Sequence, residues 1–211
     1  MNTRTSTTRT AFWIVAAVAA LAAGLALGRV LLGAGSATPQ AEAATVLSEP
    51  RPLPEVQLVS AAGEPFGTDR LTGDWHLLFF GFTHCPDVCP NTLGLLAGVR
   101  ETMAARGDAP PKVVLVSVDP RRDDPEALRA YLDYFDPAFV GVTGPRAEIE
   151  RLTAALYVPF RYVGDVEAGD YTVDHSGALV LVDPEARAVA YFSPPHDPGT
   201  LAADLAGLTG G

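Results

Sequence analysis

Gly81-Phe82-Thr83-His84-Cys85-Pro86-Asp87-Val88-Cys89-Pro90 follows the apolar run Leu77-Leu78-Phe79-Phe80 and precedes a helix-compatible stretch opening at Pro90. A continuous apolar run of that length suits a strand buried on both faces. In open parallel α/β sheets, reactive groups collect outside the carboxyl ends of such strands. The decamer therefore stands where a sheet presents chemistry, and it holds both cysteines of the 211-residue chain, Cys85 and Cys89. With a helix opening at Pro90, Cys89 falls at its N-cap, where unpaired N–H groups and the helix dipole favour a thiolate.

Three residues separate the cysteines. In one helical turn both sulfurs project to the same side, with Cβ atoms about 5–6 Å apart. That separation suits a disulfide after slight tightening, and a shared metal ion equally well. A disulfide here would close a loop of only a few residues and remove little entropy from the unfolded chain. Reactivity or metal binding explains the pair better than a structural staple.

Outward from the decamer, strand-like and helix-like segments alternate from Leu53 onward, which predicts an α/β domain with a mostly parallel sheet. Strands are expected at Val56–Val59, Leu77–Phe82, Val113–Val118, Ala178–Val182 and Val189–Phe192. Helices are expected to start at Pro90, Pro125, Pro145 and Pro198, since proline is tolerated at a first helical position, and Asp124 and Asp197 suit N-caps. Val158 to Asp174, with Gly164 and Gly169, reads as an excursion between a helix and the next strand.

Toward the N-terminus, Arg4 and Arg9 precede an apolar run from Ala11 to Gly28 that resumes after Arg29 as Val30-Leu31-Leu32. About 20 such residues cross a bilayer as a helix, and positive charge on the short side keeps that end in the cytoplasm. The expected organisation is a cytoplasmic tail at 1–10, a transmembrane anchor at 11–32, a flexible linker at 33–52 and a folded domain at 53–211. The linker is rich in small residues and carries Pro39, Pro50 and Pro52. A cleaved signal peptide is the competing reading, because Ala41-Glu42-Ala43 offers small residues, yet the apolar core is longer than a signal h-region and ends well before that site. In a bacterial cell this topology places a single-pass protein in the inner membrane with its C-terminal domain in the periplasm.

The composition is that of a folded protein, 48% hydrophobic and 19% charged, with a formal net charge of −10. Nucleic-acid binding runs on clustered Lys and Arg, so nucleic acid is excluded as a partner.

The decamer resembles the signature of the Sco/SenC family (synthesis of cytochrome c oxidase), and the similarity extends over about residues 51 to 205. Ser117-Val118-Asp119-Pro120, Phe135-Asp136-Pro137, Val142-Thr143-Gly144 and Val173-Asp174-His175-Ser176 fall where that family has similar strings. The resemblance implies a thioredoxin-like fold with a central mixed sheet flanked by helices. It also implies copper bound by Cys85, Cys89 and His175, and delivery of that copper to the binuclear copper A centre of cytochrome c oxidase. The implied partners are the oxidase copper-site subunit and other periplasmic copper chaperones or thioredoxin-like reductants. The chain departs from the family pattern at Gly177 and Ala178, where bulkier residues are common, and in the Pro194-Pro195 loop.

The residues themselves are compatible with that transfer. His175 stands just before a strand, where a thioredoxin-type oxidoreductase carries a cis-proline facing its cysteines. Asp174 is placed to orient the imidazole through an outer-shell hydrogen bond. Thiolate favours Cu(I) and imidazole tolerates both copper oxidation states, whereas structural zinc asks for a fourth protein ligand. A catalytic zinc with water in the fourth position stays open.

His84 adjoins Cys85, but neighbours on an extended chain point to opposite faces, which leaves it outside the metal shell. His76, in a strand, and His196, in the loop Ser193 to Pro198, read as structural. Asp87 reads as either a turn residue or an electrostatic modulator. Three functions remain at this level: a copper metallochaperone; a thiol–disulfide oxidoreductase with Cys85 and Cys89 as redox pair, keeping target cysteines reduced; and a thiol peroxidase.

Overall fold

The computed structural model describes Trp13, residues 16–21, Gly24 and residues 41–210. The chain divides into two compact units, Met1–Gln40 and Ala41–Gly211. In the first, the described residues are helical and exposed. Apart from these, the expected tail and anchor lie outside the described residues, as does the linker up to residue 40. Among the described residues, no helix is long and apolar enough to cross a membrane.

The second unit is built on an eight-stranded sheet. In chain order its strands are β1 (Ala44–Pro52), β2 (Leu58–Ser60), β3 (Pro65–Phe66), β4 (His76–Gly81), β5 (Lys112–Ser117), β6 (Val140–Thr143), β9 (Leu179–Val182) and β10 (Arg187–Phe192). Their spatial order is β1-β10-β9-β4-β5-β6-β2-β3. Two further strands, β7 (Phe160–Asp165) and β8 (Asp170–His175), form a separate antiparallel hairpin. The helices are α1 (Val88–Arg106), α2 (Pro125–Asp133), α3 (Arg146–Ala155) and α4 (Pro198–Thr209).

The expectation of a mostly parallel sheet needs correction. Only β4 with β5 and β5 with β6 run parallel, and the remaining pairings are antiparallel. A strand's local pattern reports whether its faces are buried, not which way its neighbours run.

Successive side chains on a strand point to opposite faces, and the core divides accordingly. Leu77, Phe79, Val113, Leu115, Leu179 and Leu181 face one way and pack under α1, α2 and α4. Leu78, Phe80, Val114, Val116, Val180 and Val182 face the other way and pack under α3 and against Val173 of the hairpin. Covering on both sides explains the uninterrupted apolar runs 77–80 of β4, 113–116 of β5 and 179–182 of β9.

The caps are those expected for α2 and α4. Asp124 accepts from the Ala127 N–H at 2.8 Å, and Asp197 accepts from the Thr200 N–H at 2.8 Å. α1 instead begins at Val88, before Pro90.

The linker expectation fails over residues 44–52, which form the edge strand β1 on β10. Proline lacks a donor N–H, yet an edge strand has one side with no ladder to complete, so Pro50 and Pro52 are accommodated there. The register shifts between Val46 and Arg51. The start of β1 is fastened from α4, where the buried Asp204 carboxylate accepts the backbone N–H groups of Glu42, Ala43 and Ala44 at 3.0, 2.8 and 3.0 Å.

Candidate metal centre

β4 delivers the chain to Gly81 at its carboxyl end, and the following residues turn back before α1, with the Cys85 N–H donating to the Phe82 carbonyl at 3.2 Å. Cys85 is half-buried, and Cys89, in the first turn of α1, is 0% exposed. Neither is in a disulfide. Gly81 makes room for the inner sulfur: a Cβ at that position would lie 2.6 Å from Cys89 Sγ. The Cys89 N–H points at Cys85 Sγ, 3.4 Å away, so the turn brings both sulfurs to one side.

His175 arrives from the far end of the hairpin as the last residue of β8. Its ring meets Phe79 and Phe82 edge-on, at centroid distances of 6.2 and 5.6 Å. Nδ1 lies 3.2 Å from the Ser176 carbonyl oxygen, and Nε2 lies 3.4 Å from Cys89 Sγ. The ligating atoms of Cys85, Cys89 and His175 all fall within 4.8 Å of one another. A metal ion bonded to sulfur at about 2.3 Å and to nitrogen at about 2.0 Å holds such atoms roughly 3.5 Å apart. The arrangement of the three side chains is therefore close to a coordination geometry.

Burial governs the protonation of the site. Desolvation pushes the Cys89 thiol well above its ordinary value; the nearby Cys85 adds to this, and the Phe82 backbone opposes it. The expectation of a thiolate favoured at an N-cap is corrected: Cys89 sits inside the helix, Asp87 is the N-cap, and loss of water outweighs the helix dipole. Burial also depresses His175, against smaller opposing contributions from the Ser176 and Phe80 backbone and the Asp174 charge. The imidazole is thus neutral at neutral pH, with the Ser176 carbonyl assigning the proton to Nδ1 and leaving the Nε2 lone pair toward the sulfurs. The buried Cys89 thiol must lose its proton to bind a metal ion, whereas the neutral imidazole already offers the lone pair of Nε2.

Asp174 does not orient the ring. Its carboxylate pairs with Arg161 at 2.6 Å, and a backbone carbonyl serves His175 instead. His84 is exposed and bonds through Nδ1 to Thr83 Oγ1 at 2.9 Å, outside the three-residue cluster. His76 is buried at the opposite end of β4. His196 Nε2 contacts the Gly177 carbonyl at 2.9 Å, tying its loop to the segment after His175. Asp87 accepts from Asn91 Nδ2 at 2.6 Å, which fits the turn reading.

Two buried acids hold the two halves of the site together: Asp119, which lies in one of the family-like strings, and Asp123, which no motif marks. The Asp123 carboxylate accepts from the Thr83 N–H at 3.0 Å, Thr83 Oγ1 at 2.6 Å and Ser117 Oγ at 2.7 Å. It thereby pins the cysteine turn to the end of β5. Asp119 pairs with Arg122 and accepts from the Tyr171 hydroxyl at 2.8 Å, while the Arg122 guanidinium lies 3.9 Å from the Tyr171 ring centroid. The same loop thus grips the hairpin that carries His175.

The family model described as SCO1/SenC matches residues 48–210. The chain belongs to the SCO1/SenC family. The SCO2-like protein of Rickettsia conorii is 36% identical over 140 residues, which cover 65% of this chain and 67% of that protein. The structure of Bradyrhizobium japonicum ScoI with copper bound is 36% identical, with a TM-score of 0.65 over 73% of this chain and 97% of that one. The structure of yeast Sco1 with copper bound is 31% identical, with a TM-score of 0.68 over 73% of this chain and 86% of that one. The fold is the mixed α/β, thioredoxin-like Sco fold, a central sheet with flanking helices, and the Sco signature at residues 81–90 lies at the carboxyl end of its β4.

Proposed function

We propose that this SCO1/SenC chain is a membrane-tethered copper metallochaperone that takes up copper at Cys85, Cys89 and His175 and passes it to the copper A site of cytochrome c oxidase. The observation that carries this reading is the convergence of two sulfurs and one imidazole Nε2 within 4.8 Å. Two thiolates and an imidazole suit copper by softness, and three protein donors leave room for an incoming donor from an acceptor. Copper is cargo here. Half-buried Cys85 is the sulfur an acceptor reaches first, and fully buried Cys89 holds the ion from inside.

The tether rests on Arg4, Arg9 and the apolar run from Ala11; it puts the domain on the periplasmic side of an inner membrane and raises its effective concentration near a membrane-bound target. The copper-bound relatives and the oxidase role implied by the family resemblance support the cargo and the target.

A second reading has its own observation. The two free cysteines stand close enough to form a disulfide with modest movement, so the chain could act as a thiol–disulfide oxidoreductase, with Cys85 attacking and Cys89 resolving. The high thiol pKa of Cys89 disfavours it as the attacking group.

Mixing the copper-loaded full chain with an apo copper-site domain of an oxidase subunit separates the two. The metallochaperone reading expects copper to move to the acceptor with its cysteines already reduced. Transfer of reducing equivalents to an oxidised acceptor, with no transfer of copper, would support the oxidoreductase.

A further inference from the structure

Gly177 follows His175 by two residues, and its backbone φ is not positive. A Cβ at this position would meet Pro194 Cγ at 3.4 Å and Val88 Cγ1 at 3.6 Å, both ordinary contacts. Neither backbone conformation nor packing therefore calls for glycine here. Its missing side chain leaves a notch, walled by Val88 on one side and Pro194 on the other. Gly177 and the Pro194-Pro195 loop are also the places where the sequence departs from the Sco pattern.

The walls belong to separate elements. Val88 opens α1 beside the buried Cys89 and is itself 45% exposed. Pro194 and Pro195 are exposed, and their loop is held to the floor of the notch where His196 Nε2 contacts the Gly177 carbonyl at 2.9 Å. Exposed carboxylates stand by both walls, Asp87 next to Val88 and Asp197 three residues after Pro194. The notch is thus an apolar surface with an acidic border, formed before any partner arrives, so that little ordering opposes its occupation. Its walls and floor are chain neighbours of Cys89 and His175, whose ligating atoms lie within 4.8 Å of the half-buried Cys85 sulfur. A protein seated in the notch lies beside that sulfur, which singles out the acceptor of the metal as the occupant.

We propose that the notch over Gly177, between Val88 and Pro194, is the docking point of the copper acceptor, which inserts one apolar side chain there and presents Lys or Arg to Asp87 and Asp197. This rests on the metallochaperone reading and names the surface through which that reading operates. The net charge of −10 draws a basic acceptor face toward the domain. Docking then holds the acceptor's donors over Cys85 while copper changes ligands: each bond to this chain that breaks is replaced by one to the acceptor. The thiols left behind take up the protons that the acceptor's thiols release.

The test loads the full chain with Cu(I) and mixes it with the apo copper-site domain of an oxidase subunit, for wild type, Gly177→Ala and Gly177→Leu. Copper affinity by chelator competition, the second-order rate of transfer and the sedimentation of the chain alone are the readouts. Both variants should bind copper as tightly as wild type, since the added side chain points into the notch and not at a ligand. Transfer should slow modestly in Gly177→Ala and about tenfold or more in Gly177→Leu, and the wild-type rate should fall as salt is raised. Wild-type transfer rates in both variants overturn the notch alone, and so does a loss of copper affinity in Gly177→Ala, which would make glycine a requirement of the metal site. A wild-type dimer that Gly177→Leu dissociates would make a second copy of the chain the occupant and overturn the acceptor assignment. A rate indifferent to salt overturns the basic face. A wild-type chain that passes no copper to this domain overturns the metallochaperone reading and this proposal with it.

Discussion

His175 Nε2 lies 3.4 Å from Cys89 Sγ, across 86 positions of sequence. The two reach each other by different routes: Cys89 is carried in by the first turn of α1, and His175 by the polar hairpin β7–β8. No single element builds the site, so its geometry depends on what couples the two routes. The glycine behind Cys89 and the carboxylates of Asp119 and Asp123 supply that coupling.

Gly81→Ala should damage the site from below. The new Cβ, 2.6 Å from Cys89 Sγ, forces the sulfur or β4 to move. Overpacking of this kind costs about 1–3 kcal/mol. Urea unfolding and a copper titration should show lower stability and weaker metal binding together; a variant matching wild type in both would mean that the sulfur has space the structure does not show.

Asp123→Ala should loosen the cysteine turn. It leaves the Thr83 N–H and the Thr83 and Ser117 hydroxyls without their shared acceptor. The expected loss is about 2 kcal/mol or more in denaturant unfolding, with faster amide exchange at Thr83. Unaltered exchange there would show that the turn is held by something else.

Acid should destabilise the domain through His76. Burial holds this imidazole below its ordinary value of 6.5, with Lys112 adding to the effect and the Asp74 and Leu71 backbone opposing it. Below about pH 6.5 the unfolded chain binds a proton that the folded chain refuses, so stability falls as pH drops through that value toward the folded pKa. Urea unfolding at about pH 7.5 and pH 5.5 should give a shallower loss for His76→Gln than for wild type. Equal slopes would assign the acid sensitivity to other groups.

The sequence shows most clearly what burial writes into it locally. The runs at 77–80 and 113–116 are apolar without a break because helices cover both faces, and Asp124 and Asp197 announce helix starts through their own side-chain bonds. β1 was hidden because Pro50 and Pro52 suggest a broken chain, and only an edge position on β10 makes them acceptable. The antiparallel neighbours of β9 and β10 are a matter of topology, which no residue pattern records. At the site, the spacing of Cys85 and Cys89 puts the sulfurs together, but the protonation of Cys89 follows from how much water the fold removes. Asp123 reads as an ordinary loop acid until folding brings Thr83, 40 positions away, onto its carboxylate.

Copper affinity of the purified full chain, measured by chelator competition for wild type and His175→Ala, tests the three-donor site most directly. Outer-shell partners of metal ligands already contribute 10–100-fold in affinity, so loss of a direct ligand should weaken binding by about a hundredfold or more, with the thiol pair still reactive. Binding by His175→Ala as tight as wild type would contradict the site.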